Sequence, residues 1–252
     1  MRPNDRQLKI TDIIRREGRV TVDQLVETFS SSPETIRRDL NVLAKSGKVQ
    51  KVHGGAIFSN IHGEGSFQQR MTENIVAKRQ IAENASKLIS PGDSLFIKTG
   101  STTTVFAEEL TKISNLTIVT NSLEIAKITG ANKNGSKVFL LGGEYESDNR
   151  ETLGSMAISQ LSNFHVQHLI IPIGCINADI GVSDFSASEV AVTRAMIEHA
   201  QNSIILADST KFDRVAPFVI GPLNLFNKMV CEKEPAKLLK QALEQNKVEI
   251  IC

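Results

Sequence analysis

Ser31-Ser32-Pro33-Glu34-Thr35-Ile36-Arg37-Arg38-Asp39-Leu40 reads as the opening of a helix that carries two adjacent arginines. Ser32 is a good N-cap, and Pro33 suits the first helical position, where a missing N–H costs nothing. Ile36, Leu40 and Leu43 fall on one face at helical spacing, while Thr35, Arg37, Arg38 and Asn41 point elsewhere. A short helix anchored on one side, with guanidinium and small polar groups on the other, fits the major groove of DNA.

The flanking residues agree. Residues 5–16 place Leu8, Ile10, Ile13 and Ile14 at near-helical spacing. Val20-Thr21-Val22-Asp23-Gln24-Leu25 then begins a second helix, with Thr21 and Gln24 spaced as a capping box. Residues 30–32 turn the chain into the arginine-bearing helix, which gives a helix-turn-helix. Beyond Ser46-Gly47, Lys48-Val49-Gln50-Lys51-Val52-His53-Gly54-Gly55-Ala56 alternates apolar and polar residues and ends in a Gly-Gly turn. It is a candidate β-wing, with Lys48, Lys51 and His53 placed for phosphates. Residues 1–56 hold 11 Lys or Arg and 7 Asp or Glu, a net +4; the whole chain carries 29 and 28, a net +1, which leaves −3 for residues 57–252. The basic character is confined to the segment expected to touch DNA. Two arginines also suit a solvated face, but the cap, the preceding helix and the wing favour DNA. The expected contact set is Ser32, Glu34, Thr35, Arg37, Arg38, Asn41, Lys48, Lys51 and His53.

At 252 residues the chain has room for about two domains. It carries no 18-residue apolar run, signal-peptide pattern or lipidation signal, so a cytoplasmic protein with no membrane role is expected. Cys175, Cys231 and Cys252 are widely spaced and odd in number, which implies neither a disulfide framework nor a zinc cluster. No metal or cofactor is expected. Residues 1–57 form the expected DNA-binding domain, 58–75 a polar, glycine-containing linker with His62 in a loop, and 76–252 a second domain. There, strands expected at 94–98, 116–120, 137–141, 168–173, 203–207, 228–231 and 248–251 alternate with helices near 77–88, 103–110, 123–128, 187–200 and 235–245. That order implies an α/β domain with a largely parallel sheet.

Ligands of such sheets bind at the carboxyl ends of the strands. Thr99-Gly100-Ser101-Thr102-Thr103-Thr104 lies between a strand and a helix and suits a phosphate or carboxylate, or simply caps the helix. Thr120 and Asn121 at a second strand end suit hydroxyls, although a helix cap explains them as well. Gly142 and Gly143 form a backbone-exposing turn, and Lys211 follows a fourth strand, where a surface lysine is the plainer reading. Together they suggest a pocket for a small, hydroxylated, anionic molecule. Asp184, Glu189, Asp208 and Lys211 are a possible acid–base set, but the chain has no Walker A sequence, nucleophile elbow, His-Glu-x-x-His or Cys-x-x-Cys.

The chain resembles, over almost its whole length, the DeoR family of bacterial transcription regulators, of the glycerol-3-phosphate and sugar-phosphate repressor type. The resemblance rests on Arg6-Gln7, Val20-Thr21-Val22-Asp23-Gln24-Leu25, Ser32 to Leu40, His53-Gly54-Gly55-Ala56, Phe67-x-x-Arg70, Gly100-Ser101-Thr102, Val119-Thr120-Asn121-Ser122, Gly142-Gly143, Arg194-Ala195-Met196 and Ala207 to Phe212. It implies a winged helix-turn-helix followed by a sensor domain akin to phosphosugar isomerases and CoA transferases. It also implies operator DNA and a phosphorylated or acidic sugar effector as partners, repression relieved by that effector, and a homo-oligomer, dimer or tetramer. Lys98 stands where the family pattern has Asp, and Thr193 where it has Lys. The expectation is a pocket more electropositive than its relatives', with Lys98, Gly100, Ser101, Thr102, Thr103, Thr120, Asn121, Gly142, Gly143 and Lys211 around the effector; the plainer alternative is that positions 98 and 193 drifted because they lie outside the pocket. The alternatives are a sugar-phosphate isomerase or transferase with an accessory DNA-binding domain, and a helix-turn-helix that contacts only protein.

Overall fold

The computed structural model describes residues 3–17, 19–45, 49–52, 54–58 and 65–252, and the chain divides into two units, Met1–Gln69 and Arg70–Cys252. Lys48, His53, His62 and the Ser46-Gly47 turn lie outside the described residues.

The first unit holds α1 (Pro3–Glu17), β1 (Arg19–Thr21), α2 (Val22–Phe29), α3 (Pro33–Lys45), β2 (Val49–Val52) and β3 (Gly55–Phe58). The α2 capping box is present: the Thr21 amide donates to Gln24 Oε1 at 2.7 Å and the Gln24 amide to Thr21 Oγ1 at 3.2 Å. Ser30, left-handed at φ 47°, stops α2 and aims the chain into α3. Ile10, Ile14, Leu25, Ile36, Leu40 and Leu43 close the core against Val49 and Ala56 of the wing. The wing sheet runs β1-β3-β2 and is antiparallel throughout. At Gly55 a Cβ would lie 2.1 Å from the Val20 carbonyl oxygen, so the approach of β3 to β1 requires glycine.

Part of the expected linker is helical instead: α4 (Phe67–Thr72) spans the division between the units, and its Phe67 is buried. The second unit continues with α5 (Ile75–Ser86), β4 (Ser94–Ile97), α6 (Ser101–Leu110), β5 (Thr117–Thr120), α7 (Leu123–Gly130), β6 (Lys137–Leu140), β7 (Glu144–Glu146), β8 (Glu151–Leu153), α8 (Ser155–Leu161), β9 (Val166–Pro172), β10 (Cys175–Asn177), β11 (Gly181–Asp184), α9 (Ala187–Glu198), β12 (Ala200–Leu206), β13 (Phe218–Gly221), β14 (Lys228–Val230), α10 (Lys237–Gln245) and β15 (Glu249–Ile251).

The seven expected strands form one sheet, β15-β14-β12-β9-β4-β5-β6, with every neighbouring pair parallel. Alternate residues serve opposite faces. Phe96, Leu169, Ile205 and Met229 pack with α8, α9 and α10, whereas Leu95, Ile97, Ile170 and Ile204 pack with α5, α6 and α7. The order reverses at β4, with β5 on one side and the later β9 on the other, so a switch point lies at the carboxyl end of β4. Three further features were not expected: the helix α8, the three-stranded antiparallel sheet β10-β11-β13 and the β7–β8 hairpin. No described helix is long and apolar enough to cross a membrane.

Candidate nucleic-acid interface and sensor site

At the start of α3, Ser32 Oγ accepts from the Thr35 amide at 3.3 Å and lies 2.9 Å from Thr35 Oγ1. The cap is therefore formed, and Pro33 is the first helical residue. Glu34, Arg37, Arg38 and Asn41 are exposed, and Thr35 is partly so. Arg37 Nη1 lies 3.8 Å from Glu34 Oε2, a loose pair of exposed groups that contributes little. Lys51 Nζ donates to Asn41 Oδ1 at 2.6 Å, so the wing and α3 share one polar surface.

The opposite face of α3 is fixed by a contact that sequence pattern alone does not reveal. Asp39 is buried, and its Oδ2 lies 2.5 Å from Arg6 Nε, while Gln7 Nε2 donates to its Oδ1 at 2.9 Å. Arg6-Gln7 is thus a two-pronged clamp from α1. It sets the rotation of α3, and with it the direction of Arg37 and Arg38.

In the second unit, the first turn of α6 begins at Ser101 rather than at the expected Thr103. The cause is local. The Gly100 carbonyl takes the Thr104 amide at 2.9 Å and the Thr104 hydroxyl at 2.7 Å, which closes the turn early. Gly100 has no room for a side chain, since a Cβ would sit 2.4 Å from Pro172 Cγ across the switch point. Thr103 donates to the Lys98 carbonyl at 2.7 Å, and Thr120 to the Ile97 carbonyl at 2.6 Å. Both are fully buried and act as struts between strand ends. Asn121 is likewise buried: its Oδ1 accepts the Thr99 amide at 3.0 Å and its Nδ2 donates to Glu151 Oε2 at 2.8 Å. Ser101 and Thr102 are almost covered, whereas Gly142 is exposed and Gly143 and Lys211 are half-buried.

Lys98 is not a surplus positive charge. Its Nζ lies 2.5 Å from Glu189 Oε2 and 3.8 Å from Asp184 Oδ2, within a fully buried side chain. Burial alone would lower its pKa, but the charges of Glu189, Asp184 and Glu151 outweigh that and hold the ammonium above the ordinary lysine value. Three carboxylates answer its charge, so Lys98 places no uncompensated positive charge in the pocket.

Asn149 organises the rest of the cluster. Its Nδ2 donates to Glu189 Oε1 at 3.1 Å and Glu151 Oε1 at 3.3 Å, and its Oδ1 accepts from Arg70 Nη2 at 2.5 Å. Burial, then the like charge of Glu189, pushes the Glu151 carboxyl up to about 7, against the opposing pull of Lys98 and the amides of Asn149 and Asn121. Of the four residues considered as an acid–base set, Asp184 and Glu189 meet around Lys98. Asp208 stands at another strand end, where it accepts from the Thr210 amide at 3.1 Å and Asn74 Nδ2 at 3.4 Å. The missed members are Asn149 and Glu151. No sequence signal marks them: Asn149 lies in a turn, and Glu151 is an acid that the fold covers completely. The cluster offers carboxylates, an amide and cations to hydroxyl groups, beside a helix N-terminus suited to an anion.

Residues 6–62 match the DeoR-like helix-turn-helix domain, and residues 73–233 match the DeoR C terminal sensor domain. The glycerol-3-phosphate regulon repressor of Escherichia coli is 31% identical over 250 residues, covering 99% of each chain. The HTH-type transcriptional repressor CsqR of Escherichia coli is 30% identical over 248 residues, covering 98% of this chain and 95% of its own. Among solved structures, ribose 5-phosphate isomerase A of Methanocaldococcus jannaschii superposes with a TM-score of 0.41 at 15% identity, over 56% of this chain and 55% of that one. Both of these relatives, which span almost the full length, are named as repressors, which sets the isomerase alternative aside: this is a regulator, not an enzyme. With both units matched and relatives aligned along their whole length, the chain belongs to the DeoR family of transcription regulators.

Proposed function

We propose that this regulator represses a carbohydrate-utilisation operon in the cytoplasm, and that a phosphorylated or acidic sugar bound in the sensor unit relieves the repression. The observation that carries the DNA-binding part is the seating of α3, clamped by Arg6 and Gln7 on one face with Arg37 and Arg38 exposed on the other. Ser32, Glu34, Thr35, Arg37, Arg38 and Asn41 lie in or beside the major groove, and Lys51, with Lys48 and His53, holds phosphates. A homo-oligomer, dimer or tetramer, sets two such helices about 34 Å apart on a repeated operator.

The effector's anionic group sits at Gly100, Ser101 and Thr102, where the amides of the first turn of α6 precede the intrahelical ladder. Its hydroxyls meet Glu189 and Asn149, with Gly142, Gly143 and Lys211 at the rim. Thr103, Thr120 and Asn121 shape this floor from below. Lys98 holds Glu189 in place rather than meeting the effector, since an anion placed directly on Lys98 would face three carboxylates. One relative's name supports the class: it is a glycerol-3-phosphate regulon repressor.

The test is release of a preformed protein–DNA complex by a panel of sugar phosphates, sugar acids and free sugars at fixed salt. A compound shifts the equilibrium only as far as it binds the two states differently, so a near-complete release requires about 5.5 kcal/mol of difference. Release by one phosphorylated or acidic sugar, but not by its uncharged parent, is the expected result. Release by neutral sugars alone overturns the anion site.

A further inference from the structure

β14 and β15 are parallel neighbours, with Val230 opposite Ile251. One residue beyond each strand stand Cys231 and Cys252, and the Cys231 amide donates to the Ile251 carbonyl at 2.9 Å. Their sulfurs lie 3.1 Å apart, in a thiol–thiol hydrogen bond in which either can donate. Adjacent strands run about 4.8 Å apart, and a disulfide spans Cα atoms about 4.4–6.8 Å apart, so the backbone register already suits a bridge. Cys252 is exposed and Cys231 is buried, whereas Cys175 is buried on β10 in a different sheet.

We propose that Cys231 and Cys252 are a redox modification site that closes to a reversible intramolecular disulfide on exposure to a hydroperoxide. Burial, reinforced by the contact with Cys252 and the charge of Glu232, pushes the Cys231 thiol up and keeps it protonated, so the exposed Cys252 reacts first. The Cys252 thiolate attacks one oxygen of hydrogen peroxide. The O–O bond breaks, and the departing hydroxide takes up the thiol's proton as water, leaving a sulfenic acid. The Cys231 sulfur then attacks the Cys252 sulfur. The S–S bond forms, the S–O bond breaks, and the leaving hydroxide carries away the Cys231 proton as a second water. The two thiols together give two electrons to one peroxide.

The bond lies next to the residue that holds the Lys211 loop, a rim element of the proposed effector site. Glu232 follows Cys231, and both its carboxylate oxygens accept the Ser209 amide at 3.0 Å, in the loop that carries Lys211. A bridge fixes the turn from which Glu232 holds that loop.

The full chain is treated with hydrogen peroxide, quenched, alkylated under denaturing conditions and digested with trypsin for mass spectrometry. A peptide pair joined through Cys231 and Cys252, alkylation at Cys175 alone, and reversal by dithiothreitol are expected. The oxidised chain also melts at a higher temperature than the reduced one. Cys252→Ser abolishes the pair and the shift, and Cys175→Ser leaves both intact. In Cys231→Ser, the sulfenic acid on Cys252 persists and is trapped by dimedone. Should that buried variant fail to fold, the exposed Cys252→Ser still decides the matter. Oxidation of Cys252 to sulfinic acid, or to dimers between chains, with Cys231 still alkylated overturns the proposal.

Discussion

Replacing Asp39 by alanine removes the counter-charge of a buried guanidinium and the acceptor of Gln7 in one step. The Arg6 and Asp39 side chains are 11% and 5% exposed, with 2.5 Å between Nε and Oδ2, so solvent replaces little of what is lost. Stripping one partner from a buried pair costs about 3–5 kcal/mol, because the other charge stays desolvated. At about 0.05–0.15 kcal/mol per residue, a unit of this size has only about 3–10 kcal/mol of stability. Asp39→Ala therefore consumes much or all of the folding free energy of the first unit. The chain has no tryptophan, and its single tyrosine, Tyr145, lies in the second unit. Tyrosine fluorescence thus follows the sensor alone during urea unfolding, while far-ultraviolet circular dichroism follows both units. The circular dichroism transition is expected to split, with an early phase absent from fluorescence. The double variant Arg6→Met, Asp39→Leu, which buries neither charge, should recover most of the loss. A shift below about 1 kcal/mol for Asp39→Ala, with DNA binding intact, would refute the idea that this clamp seats α3.

Lys98→Asp alone puts a fourth carboxylate among Glu189, Asp184 and Glu151, and its sensor unit should unfold at markedly lower urea. Thr193 lies on α9 four residues after Glu189, whose carbonyl its hydroxyl contacts at 2.8 Å. Adding Thr193→Lys, which restores the family's pair of residues, should rescue part of that loss; equal damage in single and double variants would refute the exchange. Glu151 provides a pH test. Its folded-state pKa of about 7 exceeds its ordinary 4.5, so the native state binds the proton more tightly. The resulting stabilisation is complete below pH 4.5 and is lost as pH rises through 7. Glu151→Gln should flatten that slope in sensor unfolding, and an unchanged slope would remove Glu151 as its source. Lys51→Ala should weaken all DNA sequences alike and reduce the salt slope by about 1, whereas a loss confined to one sequence would make Lys51 a base contact.

The winged helix was legible because its signals are local. Thr21 and Gln24, or Ser32 and Pro33, act across three residues or fewer, and capping chemistry leaves little choice of partner. The parallel sheet was legible because seven apolar runs alternate with helical ones. The charged cluster beside the strand ends was legible only in part: Asp184 and Glu189 were named, but Asn149 and Glu151 were not. β7 and β8 have three residues each, too short for any periodicity to show, and Glu151 inverts the usual burial of acids. Lys98 also looks like a lone cation in sequence, because its neutralising partner Glu189 comes from 91 residues further along the chain. Asp39 misleads similarly, since its apparent solvent exposure on an amphipathic helix disappears once α1 supplies Arg6.

The central claim is that the exposed face of α3 reads DNA. Its most direct test is fluorescence anisotropy at fixed salt on DNA upstream of the protein's own gene and on scrambled DNA, comparing the native chain with Arg37→Ala. Tight binding to one region is expected, with Arg37→Ala losing about 1–3 kcal/mol there, about 5- to 150-fold in affinity, and little on scrambled DNA. Equal, weak and salt-insensitive binding to both DNAs, unchanged by Arg37→Ala, would contradict it.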